Sequence, residues 1–233
     1  MKVKYIHRFS ILFQAVQWLR NNKGKYNGEV YEPLMLCSNI PVEEHSIYIE
    51  NSIPFRDMTI FFFQESDDMN SFLNTVRKDM RLETVGAAVL TARSMLAMKS
   101  RVPAAQLQRF GLISYLSDMM QAPEPVLAHL CNSFNLHNIA VFSPASEKFN
   151  EQIQSMGITK YFFGHKMQSV IKSGYSGRIT TKTSEINSRG TLGRSVDKNR
   201  VDQLCGAEAA CKQVIQDLKK EQESLSMNLK HLV

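Results

Sequence analysis

Residues 109–144 read RFGLISYLSDMMQAPEPVLAHLCNSFNLHNIAVFSP and combine helix and strand patterns within a short span. The glycine-led apolar segment at 111–119 predicts a short helix. The paired prolines after it would end that helix, because proline cannot donate a helix hydrogen bond. Residues 126–134 place apolar side chains on one face of a second helix, and the compact apolar run at 139–142 predicts a buried strand. This part of the chain is therefore predicted to be a helix–helix–strand unit.

The first half of the chain contains an earlier copy of the latter part of this unit. ENSI at 50–53 corresponds to CNSF at 131–134, and IFFF at 60–63 corresponds to IAVF at 139–142, at offsets of 81 and 79 residues. A helix pattern and a further apolar strand pattern follow in each copy. Four matched elements in the same order predict two related lobes. A coincidence of α/β patterning is the alternative explanation.

Composition limits the class of protein. A chain of 233 residues, 43% of them hydrophobic, can bury a substantial core in one large domain or two small ones. The four cysteines form no C-x-x-C pair, which favours a reduced, intracellular chain. His129, Cys131 and His137 form the best zinc candidate, but zinc sites usually need four well-spaced ligands. No apolar run approaches the ~20 residues of a membrane span, so no membrane partner is predicted.

Other local patterns predict further elements. Residues 34–40 predict a strand, and Ser66 is predicted to cap a helix at 67–80. The two aspartates after this cap suit the positive end of the helix dipole, which is a simpler explanation than a metal site. The Gly-, Ser- and Thr-rich tract at 173–195, called here the Gly-rich tract, contains few apolar residues. It is therefore predicted to be a flexible loop or to be ordered by a partner.

Apolar residues with three-four spacing occur near both ends of the chain. The seam that begins at residue 201 continues over 32 residues, longer than a helix of a small domain needs to be. Both segments are predicted to be antiparallel coiled-coil arms. The predicted domains are arm stubs at 8–24 and 196–233, a first lobe at 30–103 and a second lobe at 104–195. The predicted seam residues are Leu12, Val16, Leu19, Val201, Leu204, Ile215, Leu218, Leu225, Leu229 and Leu232.

The formal net charge of +6 is concentrated in one part of the chain. Residues 160–200, called here the basic tract, contain nine Lys or Arg and two acidic residues, so the remainder is close to neutral. Basic residues beside Gly, Ser and Tyr suit phosphate contacts. Tyr161, Phe162 and Tyr175 are predicted to add a stacking surface for single-stranded nucleic acid. A solvated basic face without a ligand is the alternative. The predicted DNA-binding residues are Lys166, Lys172, Arg178, Lys182, Arg189, Arg194, Lys198 and Arg200.

The sequence contains no recognisable catalytic motif. It has no G-x-x-x-x-G-K-[ST] phosphate loop, no G-x-S-x-G elbow and no H-E-x-x-H metal motif. The prediction is a non-enzymatic protein with no catalytic residues, no metal and no cofactor. The rival interpretation is an α/β enzyme that binds a small molecule or nucleotide, with the Gly-rich tract as its phosphate loop.

Several segments resemble the hinge region of the structural maintenance of chromosomes protein 5 family. They are AVQWLRNN at 15–22, Glu32-Pro33, ESDDM at 65–69 and above all FGLISYLSDMMQAPEPVLAHL at 110–130. The resemblance covers about 15–201. It implies a mixed α/β (α+β), two-lobed hinge domain flanked by antiparallel coiled-coil helices.

The resemblance also implies partners and a cellular role. Each lobe of such a hinge pairs strand to strand with a partner hinge, here that of structural maintenance of chromosomes protein 6. The pair is associated with DNA, preferably single-stranded but also double-stranded, in chromosome maintenance, DNA repair and recombination. The expected location is the nucleus, on chromatin. ATP binding belongs to the full-length family, whose ATPase heads are absent from this sequence.

The expected dimer interface is formed by exposed edge strands that complete the partner's sheets. The interface residues expected from this are Val85, Ala87 and Val89 in the first lobe and Ile179 and Thr181 in the second. A weak homodimer, or a homodimeric scaffold without DNA binding, is the remaining alternative. The glycines at 174, 177, 190 and 193 do not reproduce the spacing of the family's glycine motif, which puts one of the two contacts in doubt.

Overall fold

A computed structural model describes residues 2–91, 94–172 and 179–192, together with 214–216, 218, 221 and 222. By its internal contacts the chain divides into a first unit, Met1–Gly193, and a second unit, Arg194–Val233. The bounds of the first unit include the predicted first lobe and residues 104–193 of the predicted second lobe. The described residues of the second unit are helical.

The first unit alternates short helices and strands. Its α-helices are Lys2–Asn22 (α1), Leu34–Cys37 (α2), Ser46–Glu50 (α3), Phe55–Met58 (α4), Ser66–Asn74 (α5), Ala104–Leu107 (α6), Glu124–Phe134 (α7) and Asn150–Ser155 (α8). Its strands are Val30–Tyr31 (β1), Phe61–Phe63 (β2), Ala87–Val89 (β3), Leu112–Tyr115 (β4), Ala140–Phe142 (β5), Lys160–Phe163 (β6), Lys166–Lys172 (β7) and Ile179–Glu185 (β8). Short 3-10 turns occupy Lys23–Lys25, Glu43–His45, Met95–Ala97, Gln108–Phe110, Leu116–Asp118, Leu136–Asn138 and Pro144–Phe149, and Thr75–Asp79 is a π-helical turn.

The two sheets share one strand plan. In the first sheet the order is β1-β2-β3, with β1 antiparallel and β3 parallel to β2. In the second sheet β4, β5 and β6 repeat this order and these directions, and β7 and β8 then extend the sheet with antiparallel strands. We call the first sheet with its helices lobe 1 and the second sheet with its helices lobe 2. The prediction of two related lobes in a mixed α/β fold is confirmed.

The central strands are buried on both faces, and their side chains divide between separate clusters. Phe61 and Phe63 of β2 pack in a cluster within lobe 1, whereas Phe62 between them packs in a cluster shared by the two lobes. Phe162 of β6 reaches the same shared cluster, while its neighbours on either side fill a third cluster within lobe 2. This division follows from the alternation of side chains along a strand. The lobes are therefore joined by a continuous apolar core.

Helix α1 packs on lobe 1 along its predicted seam. Leu12, Val16 and Leu19 are 9%, 2% and 0% exposed and lie in the lobe 1 cluster with Phe61 and Phe63. These three residues were expected to face a second coiled-coil helix. The expectation is corrected, because the sheet of lobe 1 covers their stripe. An amphipathic helix has the same apolar spacing whether it packs on a sheet or on another helix.

Four local predictions differ from the structure. The segment 111–119 begins with strand β4 rather than a helix, because it pairs with β5 and follows a left-handed turn at Gly111, where φ is +79°. The segment 34–40 begins with helix α2, Leu34–Cys37, instead of forming a strand, and only Asn39 of its remainder makes an isolated bridge. Ser66 is the first residue of α5 and not its cap, since the cap position is Glu65. The Gly-rich tract contains β8, a regular seven-residue strand, whose β-branched sequence ITTKTSE suits a pleated surface.

Candidate functional site

Strand β3 forms an open edge of the lobe 1 sheet. The carbonyl of Gly86 and the N–H of Leu90 both hydrogen-bond to β2, at 3.0 and 2.8 Å. Backbone groups of successive strand residues point in opposite directions, so those of Ala87 and Val89 face away from β2. No strand of the described chain pairs with that side. Both predicted interface residues therefore lie on an edge that can accept another strand.

Val85, the third residue expected at this interface, has a different role. Its side chain is 3% exposed in the lobe 1 cluster, and its N–H donates to the carbonyl of Leu82. Its carbonyl accepts two hydrogen bonds from the Arg77 guanidinium, from Nε at 2.9 Å and Nη2 at 2.7 Å. The expected contact by Val85 is therefore corrected, since its side chain and both backbone groups are engaged within lobe 1. Val85 anchors the segment that leads into β3.

Strand β8 forms the open edge of the lobe 2 sheet. It pairs antiparallel with β7 along its whole length, and no described strand lies on its other side. Thr181 is exposed near the middle of β8, opposite Val170, and Ile179 is the first residue of the strand. The two lobe 2 residues predicted for the interface thus lie on this edge strand.

The predicted DNA-binding residues are only partly within the described chain. Lys182 is exposed on β8, and Arg189 is exposed shortly after that strand ends. The ammonium of Lys166 lies 2.8 Å from a carboxylate oxygen of Glu147, so its charge is locally compensated. Lys172 is the last residue of β7. The remaining four, Arg178, Arg194, Lys198 and Arg200, lie outside the described residues.

The aromatic residues of the basic tract do not form the expected stacking surface. Tyr161 and Phe162 are both 0% exposed, and the Tyr161 hydroxyl donates to Asn150 Oδ1 at 2.6 Å. Burial raises the pKa of Tyr161. The prediction is corrected for these two residues, because both faces of β6 are covered. Tyr175 lies outside the described residues.

The Gly-rich tract ends in a ring of backbone donors that surrounds a carboxylate of the same chain. The N–H groups of Arg189, Thr191 and Leu192 point at Glu50 of α3, whose side chain is 0% exposed. Between them Gly190 has a φ of +64°, the left-handed conformation common in anion-binding backbone loops. The backbone N–H groups of this part of the tract therefore bind an anion of the same chain, the Glu50 carboxylate. Sequence reasoning missed Glu50, since nothing local to residue 50 signals a contact about 140 residues away.

The zinc candidate combines one buried cysteine with two half-buried histidines. Cys131 is fully buried, and burial raises the pKa of its thiol to about 11. The ring of His129 packs edge-on against Phe62, with their centroids 5.6 Å apart. Within 2–91, 94–172 and 179–192 no group of three His, Cys, Asp or Glu side chains could hold a metal ion. None of the helices described is long and apolar enough to cross a membrane.

Two of the predicted C-terminal seam residues can be placed. Ile215 and Leu218 lie in the helical part of the second unit and are 53% and 59% exposed. Their apolar surface is uncovered within the described part of this chain. The other predicted seam residues of this segment lie outside the described residues: Val201, Leu204, Leu225, Leu229 and Leu232.

Comparisons with known proteins identify relatives of the chain. No known protein-family profile matches it. It is 21% identical over 193 residues to structural maintenance of chromosomes protein 5 of Arabidopsis thaliana, covering 83% of this chain and 18% of that protein. The protein of the same name from Caenorhabditis elegans is 27% identical over 151 residues, 64% of this chain and 14% of its own length. The one from Schizosaccharomyces pombe is 21% identical over 188 residues, 76% of this chain and 18% of its own length.

The fold agrees with these relatives. The crystal structure of the S. pombe Smc5/6 hinge domain superposes with a TM-score of 0.68 at 19% identity, covering 94% of this chain and 83% of that chain. The chain spans less than a fifth of the length of its sequence relatives, 18% and 14% in the examples above. The chain is therefore similar in sequence to structural maintenance of chromosomes protein 5 of three species and has the fold of the hinge domain.

Proposed function

We propose that this chain is a non-enzymatic hinge that forms a heterodimer with the hinge of structural maintenance of chromosomes protein 6. It would act in the nucleus, on chromatin, in chromosome maintenance and DNA repair. The observation that carries the proposal is the pair of open sheet edges at β3 and β8. The similar S. pombe structure, described as the Smc5/6 hinge domain, supports the identity of the partner.

The internal duplication supports a direction for the pairing. Strand β3 corresponds to β6 of lobe 2, and the outer side of β6 is covered by the antiparallel strand β7. The corresponding side of β3 is open within the described chain. We therefore expect the partner to add an antiparallel strand there, with backbone hydrogen bonds to Ala87 and Val89. If β8 meets the partner's first lobe in the same way, two equivalent contacts close the dimer.

Light scattering tests the pairing directly. The mass of the chain is measured alone and mixed with the partner hinge, and a one-to-one complex is expected. The matched variants Val89→Pro and Val89→Ala then separate backbone from side-chain effects. Proline removes the outward N–H and should abolish the complex, whereas alanine keeps that N–H and should retain it. If the measured mass of the chain does not change when the partner hinge is added, the proposal is contradicted.

DNA binding is the second part of the proposed function. Its support is the concentration of positive charge in the basic tract and the exposure of Lys182 and Arg189. The logarithm of the DNA affinity should fall linearly with the logarithm of the salt concentration. Each phosphate interaction that a substitution removes should lower the slope by about 0.7 for a single strand. The double variant Lys182→Gln/Arg189→Gln should flatten this slope, and the control Lys78→Gln/Arg109→Gln should leave it unchanged.

Two alternatives have distinct outcomes in these assays. Nucleotide binding by the chain without a partner would favour the small-molecule enzyme, although the backbone donors of 189–192 already bind Glu50. Self-association that rises with concentration, without salt-sensitive DNA binding, would favour a homodimeric scaffold. Both outcomes are distinguishable from a heterodimer, since neither requires the partner hinge.

A further inference from the structure

Residues 187–192, called here the strap, lie against lobe 1 and are held there by Glu50. The carboxylate Oε1 accepts hydrogen bonds from the N–H of Thr191 at 2.6 Å and of Leu192 at 2.7 Å. Oε2 accepts from the N–H of Arg189 at 2.5 Å and from the Ser188 hydroxyl at 3.3 Å. A buried carboxylate with four donors is well stabilised, and removing it would leave several donors without an acceptor.

Ser188 is both a member of this network and accessible from outside. Its hydroxyl donates to Glu50 and accepts a hydrogen bond from the N–H of Gly190 at 3.1 Å. The residue as a whole is exposed, as are its neighbours Asn187 and Arg189, and this segment lies outside helices and strands. An enzyme can therefore reach Ser188 without breaking the β7–β8 ladder.

We propose that Ser188 is a phosphorylation site and that its phosphorylation opens the strap. A protein kinase would transfer the γ-phosphoryl group of a nucleoside triphosphate to Ser188 Oγ. The Oγ–P bond forms as the bond from that phosphorus to the diphosphate breaks. The hydroxyl proton is released, and the nucleoside diphosphate leaves.

The physical reason is that phosphorylation turns the attraction between Ser188 and the Glu50 carboxylate into repulsion. Phosphorylation removes the O–H donor of Ser188 and adds a charge of about −1.5 to −2 in its place. The added charge lies beside a carboxylate that is 0% exposed, where solvent screening is weak and like charges repel strongly. The backbone donors that stabilise Glu50 cannot also neutralise the phosphate. The segment that carries the phosphate must therefore move away from α3.

The movement is confined to the strap. The N–H of Ile186 donates to the carbonyl of His165 at 2.9 Å, which holds the chain just before the strap. Phe62 and Phe162 still join the lobes through the shared core. Leu192, 6% exposed in that core, is the apolar residue that opening would expose. Opening of the strap should therefore reduce the protection of the Arg189, Thr191 and Leu192 amides from hydrogen exchange. The protection of the Ile186 amide should not change.

Amide hydrogen exchange on the full chain measures these positions one by one. Phosphoserine is incorporated at position 188 or, as the matched control, at Ser155, an exposed serine whose hydroxyl donates to the carbonyl of Gln152. Phosphoserine at 188 should accelerate exchange at the three Glu50-bonded amides by at least about tenfold, and phosphoserine at 155 should not. Unchanged protection of these amides, or equal acceleration by both modifications, would overturn the proposal.

The variant Glu50→Gln adds a second test. A glutamine amide has one acceptor oxygen and one donor nitrogen, so it cannot accept from both pairs of donors that surround Glu50. In this variant the strap amides should exchange faster without any modification, and phosphoserine at 188 should then add less than about twofold. If the phosphate accelerates exchange equally in the parent chain and in the Glu50→Gln variant, repulsion from Glu50 is not the cause and the proposal fails.

Discussion

Asn39 and Gln121 exchange both of their backbone hydrogen bonds, at 2.8 Å in each direction, although they are 82 residues apart in the sequence. Asn39 follows α2 in lobe 1, and Gln121 precedes α7 in lobe 2. Their side chains add a third, longer hydrogen bond at 3.2 Å. This one antiparallel bridge ties the lobes together through the backbone, beside the core that they share.

The Asn39–Gln121 bridge should be sensitive to loss of its N–H and insensitive to loss of its side chains. Gln121→Pro removes the N–H that donates to Asn39 and should lower the free energy of unfolding by more than about 1 kcal/mol. Gln121→Ala removes only the exposed side-chain bond and should change it by less than about 0.5 kcal/mol. Urea unfolding of both variants measures the difference. Equal effects would show that the backbone pair contributes nothing.

Three carboxylates should rank by burial and by the number of donors that they bind. Glu50→Ala leaves three backbone N–H groups without an acceptor and should cost about 3 kcal/mol or more. Asp68 is 6% exposed and accepts from the N–H groups of Asn27 and Gly28 at 2.9 and 2.8 Å, so Asp68→Ala should cost less, about 2 kcal/mol.

The third carboxylate is the control. Glu147 pairs with Lys166 at the surface with both side chains nearly half exposed, and Glu147→Ala should cost less than about 1 kcal/mol. Chemical unfolding at one pH gives all three values. Any order other than Glu50, Asp68, Glu147 would contradict this explanation.

Stability should fall as the pH drops below about 6.5, in part because of His129. Burial lowers the pKa of His129 below its ordinary value, an effect that Asp57 partly opposes, and its Nδ1 has no hydrogen-bond partner within the described chain. The unfolded chain then binds a proton that the folded chain does not. Folding is therefore favoured above that range and weakened as the pH falls towards the folded-state pKa.

The variant His129→Gln isolates this contribution, since glutamine does not titrate. The decrease in unfolding free energy from about pH 7 to about pH 5 should be smaller in the variant than in the parent chain. The pH dependence of the variant must be subtracted from that of the parent chain, because His137 also contributes to the loss of stability at low pH. Burial and Arg101 lower the pKa of His137. An identical pH dependence in both chains would exclude His129 as a cause.

Arg77 should influence partner binding from behind the β3 edge. Its guanidinium holds the Val85 carbonyl with two hydrogen bonds, which orders the segment just before β3. Arg77→Ala should weaken partner affinity about tenfold, and Arg77→Lys should have an intermediate effect because an ammonium lacks the fork geometry. Calorimetric titration with the partner hinge measures this. Lys78→Ala, at an exposed neighbour, is the control and should bind normally.

The elements that sequence reasoning placed well are those with strong local patterns. Strands β2 and β5 were evident as compact apolar runs, and α7 as an amphipathic segment after paired prolines. The duplication was visible because both lobes bury a central strand on both faces, which leaves two similar apolar runs at nearly one offset. The sheet order then followed the same plan in both lobes.

The errors arose where tertiary contacts override local pattern. The segment 112–115 has apolar residues compatible with a helix, but pairing with β5 makes it a strand. The stripe of Leu12, Val16 and Leu19 has the spacing of a coiled coil, but a sheet covers it. The contact between Glu50 and the strap joins residues about 140 positions apart in the sequence, so no local sequence pattern could predict it.

The packing of α1 couples this helix mechanically to lobe 1. Its apolar stripe of Leu12, Val16 and Leu19 packs in one cluster with Phe61 and Phe63 of β2. At its C-terminal end the Arg20 guanidinium donates two hydrogen bonds to the Glu32 carboxylate, at 2.8 and 2.7 Å. Interlocked side chains transmit displacement because protein interiors are close-packed and compress little. A load or torque applied to α1 is therefore carried into β2, the strand that holds β3 in place. Tension on this helix would strain the open edge itself.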